Sequence, residues 1–162
     1  MENNKKIRVI IVTVSDSRNE NNDASGDALI QLLSGIGAEI IEKSIVSDNF
    51  EDLRQTLYSL TEREDTNLIV TTGGTGFSRR DNTPEATRSV IDREAPGLAE
   101  AMRSETLKKT PTAMLSRGVC GIRGSTLIIN LPGSPQAVSE CFEVIKPVLQ
   151  HAINLIAGNT KH

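Results

Sequence analysis

Apolar residues in this chain fall into short unbroken blocks and into helically spaced stripes, and the two kinds alternate. Ile7–Val14 is β-branched and almost continuously apolar, the pattern of a parallel strand covered on both faces, and it stops at Ser15-Asp16-Ser17. Beyond the polar loop Arg18–Asp23, residues Leu29, Leu32, Leu33 and Ile36 repeat at helical spacing, with stop signals at Gly35 and Gly37. Ala38–Val46 predicts a second strand ending at Ser47-Asp48, Phe50, Leu53, Leu57 and Leu60 a second helix, and Leu68–Thr72 a third strand. Thr83-Pro84-Glu85 has the form of an N-cap, a proline in the first turn and a first-turn acid, so a third helix is expected there. Pro96 opens another to about Leu107. Gly118, Gly121 and Gly124 punctuate a hairpin leading to the strand Thr126–Leu131, and Ser134-Pro135 caps a last helix. Its stripe, Val138, Cys141, Phe142, Ile145, Val148, Leu149, Ala152, Ile153 and Ile156, is the most regular in the chain, with Pro147 expected to kink it.

Strands alternating with helices of this length predict an α/β fold with a mostly parallel sheet, right-handed crossovers and helices on both faces, plus a small hairpin near residues 118–131. No repeat or linker divides the chain, so residues 1–162 are expected to form one domain. Ligands in such folds sit beyond the C-terminal ends of the strands. The loops there are Ser15-Asp16-Ser17, Ser47-Asp48-Asn49 and Gly73-Gly74-Thr75-Gly76, all rich in donors and carboxylates.

Composition narrows the classes. A chain of 162 residues with 37% hydrophobic residues and a net charge of -3 can build a core without disulfides or structural metal, which sets aside stapled mini-proteins and disordered chains. Its best apolar runs are far shorter than a membrane span, and the polar lead Met1–Lys6 precedes a strand rather than a secretory core, so a cytoplasmic protein is expected. Two cysteines and two histidines are too few for a zinc cage, and both thiols are expected to be free. A pI near 5.5 and 2% aromatics set aside a general nucleic-acid binder, but a small anion needs only local donors.

Thr71-Thr72-Gly73-Gly74-Thr75-Gly76, directly after a strand, lets the backbone approach an anion and aim several N–H groups at it. It lacks the Lys of a Walker loop and the third glycine of the dinucleotide fingerprint, and a plain tight turn is the alternative. Asp81, just beyond it, and Asp48, from another strand end, could share a Mg²⁺ ion, which takes oxygen ligands beside substrate phosphates. Asp48 could equally be a turn former or helix cap, whereas Asp81 is spare if Thr83 caps the helix. Arginines 79, 80, 117 and 123 adjoin glycine- or hydroxyl-rich loops, with Arg80 and Arg117 the better phosphate candidates for their neighbours Asp81 and Ser116. Leu131-Pro132-Gly133-Ser134-Pro135 opens a helix N-terminus, either an anion or ribose site or a simple connection. No cysteine has a plausible His partner and no nucleophile elbow is present, so the inventory fits phosphoryl or nucleotidyl transfer by alignment and charge neutralisation.

Residues 71–87, from Thr-Thr-Gly-Gly-Thr-Gly to Thr-Pro-Glu-Ala-Thr, closely resemble the molybdopterin adenylyltransferase family: bacterial Mog proteins, the G domain of gephyrin and its plant counterpart. The likeness continues through Thr13-Val14-Ser15-Asp16-Ser17, Arg93–Gly97, Met114–Arg117 and Gly121–Gly133, and covers roughly Ile7–Ala157. It implies a three-layer α/β sandwich that assembles as a homotrimer. The implied reaction uses ATP and Mg²⁺: the terminal phosphate of molybdopterin attacks the α-phosphate of ATP, giving adenylylated molybdopterin and pyrophosphate for a molybdenum-insertion protein of the same pathway. The family's essential acids fall on Asp48 and Asp81 and its functional serine on Ser116. Gly73, Gly74, Thr75 and Gly76 would hold phosphates, with Ser15, Asp16, Arg80, Thr83, Arg117, Pro132, Gly133 and Ser134 around them. Arg79 departs from the pattern, standing where many relatives carry Pro. The same fold serves MoaB-type paralogues and scaffold modules that bind pterin without turnover, and nucleotide-processing relatives resembling competence-damage proteins.

Overall fold

The protein is described by a computed structural model covering residues 3–160, so the expectation for the polar lead Met1–Lys6 falls partly outside the described residues. One six-stranded sheet organises the chain. Its strands are β1 (Arg8–Val14), β2 (Glu39–Val46), β3 (Leu68–Thr72), β4 (Arg93–Glu94), β5 (Cys120–Arg123) and β6 (Thr126–Leu131). They lie in the order β2-β1-β3-β6-β5-β4, and the first four in that order run parallel. Only β5 reverses direction, as the partner of β6 in the expected hairpin, whose turn is made by Gly124 at φ 55°, and β4 pairs antiparallel to β5 at the edge and so runs with the other four.

Alternation along the strands decides the layers. Val9 and Ile11 point to one face with Leu68, Val70, Leu127 and Ile129, where α1 (Ala24–Gly35), α4 (Pro96–Leu107) and α5 (Pro135–Ile156) pack through Leu29, Leu33, Met102, Phe142 and Leu149. Ile10, Val12 and Ile69 point to the other, against Leu53, Leu57, Ala86 and Val90 of α2 (Phe50–Thr61) and α3 (Thr83–Val90). The result is the three-layer α/β sandwich that the resemblance implied. Because β1 and β3 are apolar on both sides, each face of the sheet has its own core.

The helix stripes hold with two exceptions: Phe50 and Val148, expected on buried faces, are 38% and 47% exposed. α1 ends as expected, with Gly37 at φ 82° donating its N–H to the Ser34 carbonyl. Pro147 lies inside α5, and the helix runs on past it to Ile156. Among the described residues no helix is long and apolar enough to cross a membrane.

β1 is the topological pivot, because the chain passes from it to β2 on one side and then crosses back to β3 on the other. The loops after β1 and β3 therefore diverge, leading to α1 on one face of the sheet and α3 on the other.

Candidate functional site

The glycine loop is shaped by contacts that no side chain could share. Gly73 (φ 99°) and Gly74 (φ 69°) both have left-handed backbone. A Cβ on Gly73 would stand 2.6 Å from the Val14 carbonyl oxygen, so the chain leaving β3 turns against the end of β1 at glycine's closest approach. The Gly73 N–H donates to the Leu131 carbonyl (3.1 Å), and the Thr72 hydroxyl donates to the Pro132 carbonyl (2.6 Å). The glycine loop and the Pro132-Gly133-Ser134 turn are thus tied by one backbone and one side-chain bond.

Thr83 does not cap α3, contrary to the sequence expectation. Asn82 stands at the cap position with no side-chain cap bond, and the buried Thr83 hydroxyl donates instead to the Gly73 carbonyl (2.8 Å). The Asp81 carboxylate accepts the Ser78 N–H at 2.9 Å, curling the segment between them. Arg117, expected to meet phosphate, is spent on the protein. Its Nε donates to the Gly76 carbonyl and its Nη2 to the Asp81 carbonyl, each at 2.8 Å, while Nη1 pairs with Glu85. That guanidinium, more than any other cause, holds the Glu85 carboxyl below its ordinary value. Arg117 is a staple across the glycine loop.

A cavity of about 410 Å³ opens beside this loop. Gly74, Thr75, Gly76 and Asp81 form one wall; Ser116 and Gly118 follow the 3₁₀ turn Pro111–Leu115; Pro132, Gly133 and Ser134 close a third side; α4 and α5 supply an apolar floor with Ala99, Met102 and Cys141. Eight of the residues expected at a site meet there. Gly73, Ser15, Asp16, Asp48, Arg80, Thr83 and Arg117 stand outside the lining.

Asp16, Asp48 and Arg80 form a second cluster next door. Arg80 ion-pairs with Asp16 and lies 3.4 Å from the Asp48 carboxylate, and the Asp48 N–H donates to Asp16 (3.2 Å). Asp48 is not the cap of α2, which is Asn49, so its carboxylate has no structural duty there. Asn82 joins the two acidic loops by donating its amide to the Asp48 carbonyl (3.0 Å). Arg123 lies elsewhere, over the Tyr58 ring at 4.3 Å and paired with Glu62 and Asp92. Arg79 is exposed, and Ser15 turns its hydroxyl toward the Ser17 and Arg18 amides.

A family profile described as a probable molybdopterin binding domain matches residues 10–151. The chain belongs to that family. Among its relatives, the molybdopterin adenylyltransferase of Helicobacter pylori J99 is 40% identical over 157 residues, covering 94% of this chain and 89% of the relative. The molybdenum cofactor synthesis protein cinnamon of Drosophila melanogaster is 45% identical over 152 residues, of which this chain spans only 25% of the relative's length. A crystal structure titled as the molybdopterin biosynthesis enzyme MoaB of Thermus thermophilus superposes with a TM-score of 0.87 at 49% identity, covering 94% of this chain and 97% of that one.

For a member of this probable molybdopterin binding domain family, the donor chemistry fits Mg²⁺. Among the described residues no group of three or more His, Cys, Asp or Glu could cage an ion alone. Mg²⁺, however, commonly takes one or two carboxylates and completes its shell with substrate phosphates and water. Asp48 and Asp81 supply such oxygens from linked loops. Beside Asp81 the backbone is trimmed to make room, since a Cβ on Gly76 would stand 2.9 Å from its Oδ2.

Three site features carried no sequence assignment. Asn130 is buried inside β6 and donates to the Thr71 and Thr87 hydroxyls (3.0 and 2.9 Å) while accepting the Val119 N–H. A lone amide in an apolar strand was its signal. Asp23 is fully buried and accepts from the Thr13 hydroxyl (2.7 Å), the Gly26 N–H (3.1 Å) and Lys43 (3.1 Å). Next to it Arg18 donates to the Gly133 carbonyl (2.9 Å), tying the β1 loop to the cavity wall. Arg103 on α4 faces the cavity and had no signal at all.

Proposed function

We infer that this chain is a molybdopterin adenylyltransferase, joining AMP from ATP to the terminal phosphate of molybdopterin and releasing pyrophosphate. The observation that carries the reading is the meeting of the Gly74–Gly76 and Asp81 wall, Ser116 and the Pro132-Gly133-Ser134 turn in one cavity from three separate segments. Its support among known proteins is the Helicobacter pylori relative of that name, matched over most of both chains.

Two phosphorylated substrates must be brought together against their mutual repulsion, and positioning with charge neutralisation accounts for most of such catalysis. The glycine loop turns through left-handed backbone at Gly73 and Gly74, a conformation in which successive amides can be aimed at a phosphate. Arg117 and Thr83 fix that cradle through the Gly76 and Gly73 carbonyls, so little reorganisation remains when an anion enters. Asp48 and Asp81 would hold Mg²⁺, which when bound neutralises phosphate charge. The apolar floor from α4 and α5 suits the uncharged body of a pterin and excludes water from the reacting end. Ser116, its hydroxyl accepting the Gly118 N–H at 3.3 Å, keeps an O–H to donate to a ligand.

The reading extends to a cytoplasmic homotrimer serving a molybdenum-insertion protein, with exposed Met114 and Leu115 beside Ser116 as surface a second copy could cover. One observation favours a second reading, a pterin binder without turnover: Arg80 already occupies Asp16 and Asp48. Pyrophosphate release from ATP and Mg²⁺ separates the two. The transferase releases it only when molybdopterin is added. A binder releases none, and a nucleotide-processing relative releases product from nucleotide alone.

A further inference from the structure

The cavity that would receive two polyanions is lined by Asp81 and Glu140, and Arg103 is the single cation in its lining. Arg103 sits on α4, half-buried, in the cavity lining. Its Nη1 donates to the Gly118 carbonyl at 2.8 Å and, more weakly, to the Ser116 carbonyl at 3.4 Å. These two bonds fix the guanidinium plane beside Ser116 and commit only one of its three nitrogens. No carboxylate among the described residues pairs with it, whereas Arg117, Arg80 and Arg18 are all paired. A guanidinium is a rigid fork, and when one tine is held by carbonyls the other edge keeps its donors for a planar or tetrahedral oxyanion.

We propose that Arg103 is a phosphate-binding residue of the cavity, holding a phosphate oxygen of the bound substrate through its Nε and Nη2 edge beside Ser116. The inference rests on the adenylyltransferase reading, and the phosphate could come from either the nucleotide or the pterin. Its physical basis is charge. An anion moved from water into a pocket bearing Asp81, Glu140 and apolar α4 and α5 side chains needs a compensating cation of the protein's own, and Arg103 is the one in reach. The Gly118 and Ser116 carbonyls, rather than a competing carboxylate, hold it in place, so binding an anion breaks no ion pair.

The test is equilibrium binding of four probes to the full chain: ATP, adenosine, molybdopterin, and molybdopterin whose phosphate has been removed. Each is measured on wild type, Arg103→Met and Arg103→Lys. The expected result is a loss of about tenfold or more for Arg103→Met with one phosphorylated probe, and little change with its phosphate-free counterpart. Which pair responds identifies the source. Arg103→Lys, keeping the charge, should lose less than Arg103→Met for that probe, and it carries the test alone if the methionine variant fails to fold. Equal losses for the phosphorylated and phosphate-free members of a pair would show Arg103 to be only a prop for the Ser116 segment and would overturn the proposal. So would unchanged affinity for both phosphorylated probes. If wild type binds neither ATP nor molybdopterin, the adenylyltransferase reading itself fails and takes this inference with it, a result distinct from the other two.

Discussion

Replacing Asp23 with Ala should be among the most damaging single changes in this chain, although the residue lies outside the cavity. Its carboxylate is fully buried and meets the Thr13 hydroxyl at 2.7 Å, the Gly26 N–H at 3.1 Å and the Lys43 ammonium at 3.1 Å, with Arg18 at 3.8 Å. Removing it strands a buried hydroxyl, uncaps α1 and leaves Lys43 with Asp27 alone. Cap loss by itself costs about 1 kcal/mol. Breaking a buried charge cluster from one side costs about 3–5 kcal/mol in total. Against a typical stability of about 5–15 kcal/mol that is a large share, and with a urea slope of about 2 kcal/mol/M it moves the midpoint down by about 1.5–2.5 M. The pH dependence has a definite sign. Burial pushes the Asp23 carboxyl up, but Thr13, the Gly26 amide and Lys43 outweigh it and hold it below the ordinary 3.8. Its contribution is therefore fully present above pH 3.8 and fades as pH falls through the lower folded value. Urea melts of wild type and Asp23→Ala at pH 7 and near pH 3 check both points. A midpoint shift below about 0.3 M at pH 7, or a gap that stays unchanged down to pH 2, would refute the reasoning.

Gly76→Ala should fold normally yet lose about tenfold or more in pyrophosphate release, because the new Cβ would stand 2.9 Å from Asp81 Oδ2 and only that carboxylate need move. Normal activity in this variant would show that the position of Asp81 is immaterial. Cys120 and Cys141 are buried, and burial pushes their thiols up to about 12 and about 11. At pH 8 an aromatic disulfide reagent should label neither in the native protein and both in denaturant. Rapid native labelling of either would contradict the packing.

The strands were legible because each is a short apolar run between polar loops, and β1, β3 and β6 fall within a residue of their expected bounds. β4 escaped notice, since Arg93-Glu94 is two exposed charged residues that pair with Gly121 and Ile122 and carry no apolar signal. The glycine loop was visible for the same reason it works: only glycine tolerates the Val14 carbonyl at 2.6 Å. What a hydroxyl or guanidinium does once folded was not visible. Thr83 has the sequence context of a cap and is instead drawn to the Gly73 carbonyl, and Arg117 resembles a free ligand for phosphate until the Gly76 and Asp81 carbonyls consume it. Arg103 was hidden because a cation on an exposed-looking helix reads as surface until the fold turns that face over the cavity.

On the adenylyltransferase reading, Asp81 stands at the reacting phosphates in the cavity beside the glycine loop. Asp81→Asn, which keeps the side chain's shape and its bond from the Ser78 amide while removing its charge, tests this most directly. Pyrophosphate release from ATP, Mg²⁺ and molybdopterin is measured beside molybdopterin binding. Release should be abolished while binding stays within about threefold of wild type. Release at the wild-type rate would contradict that reading.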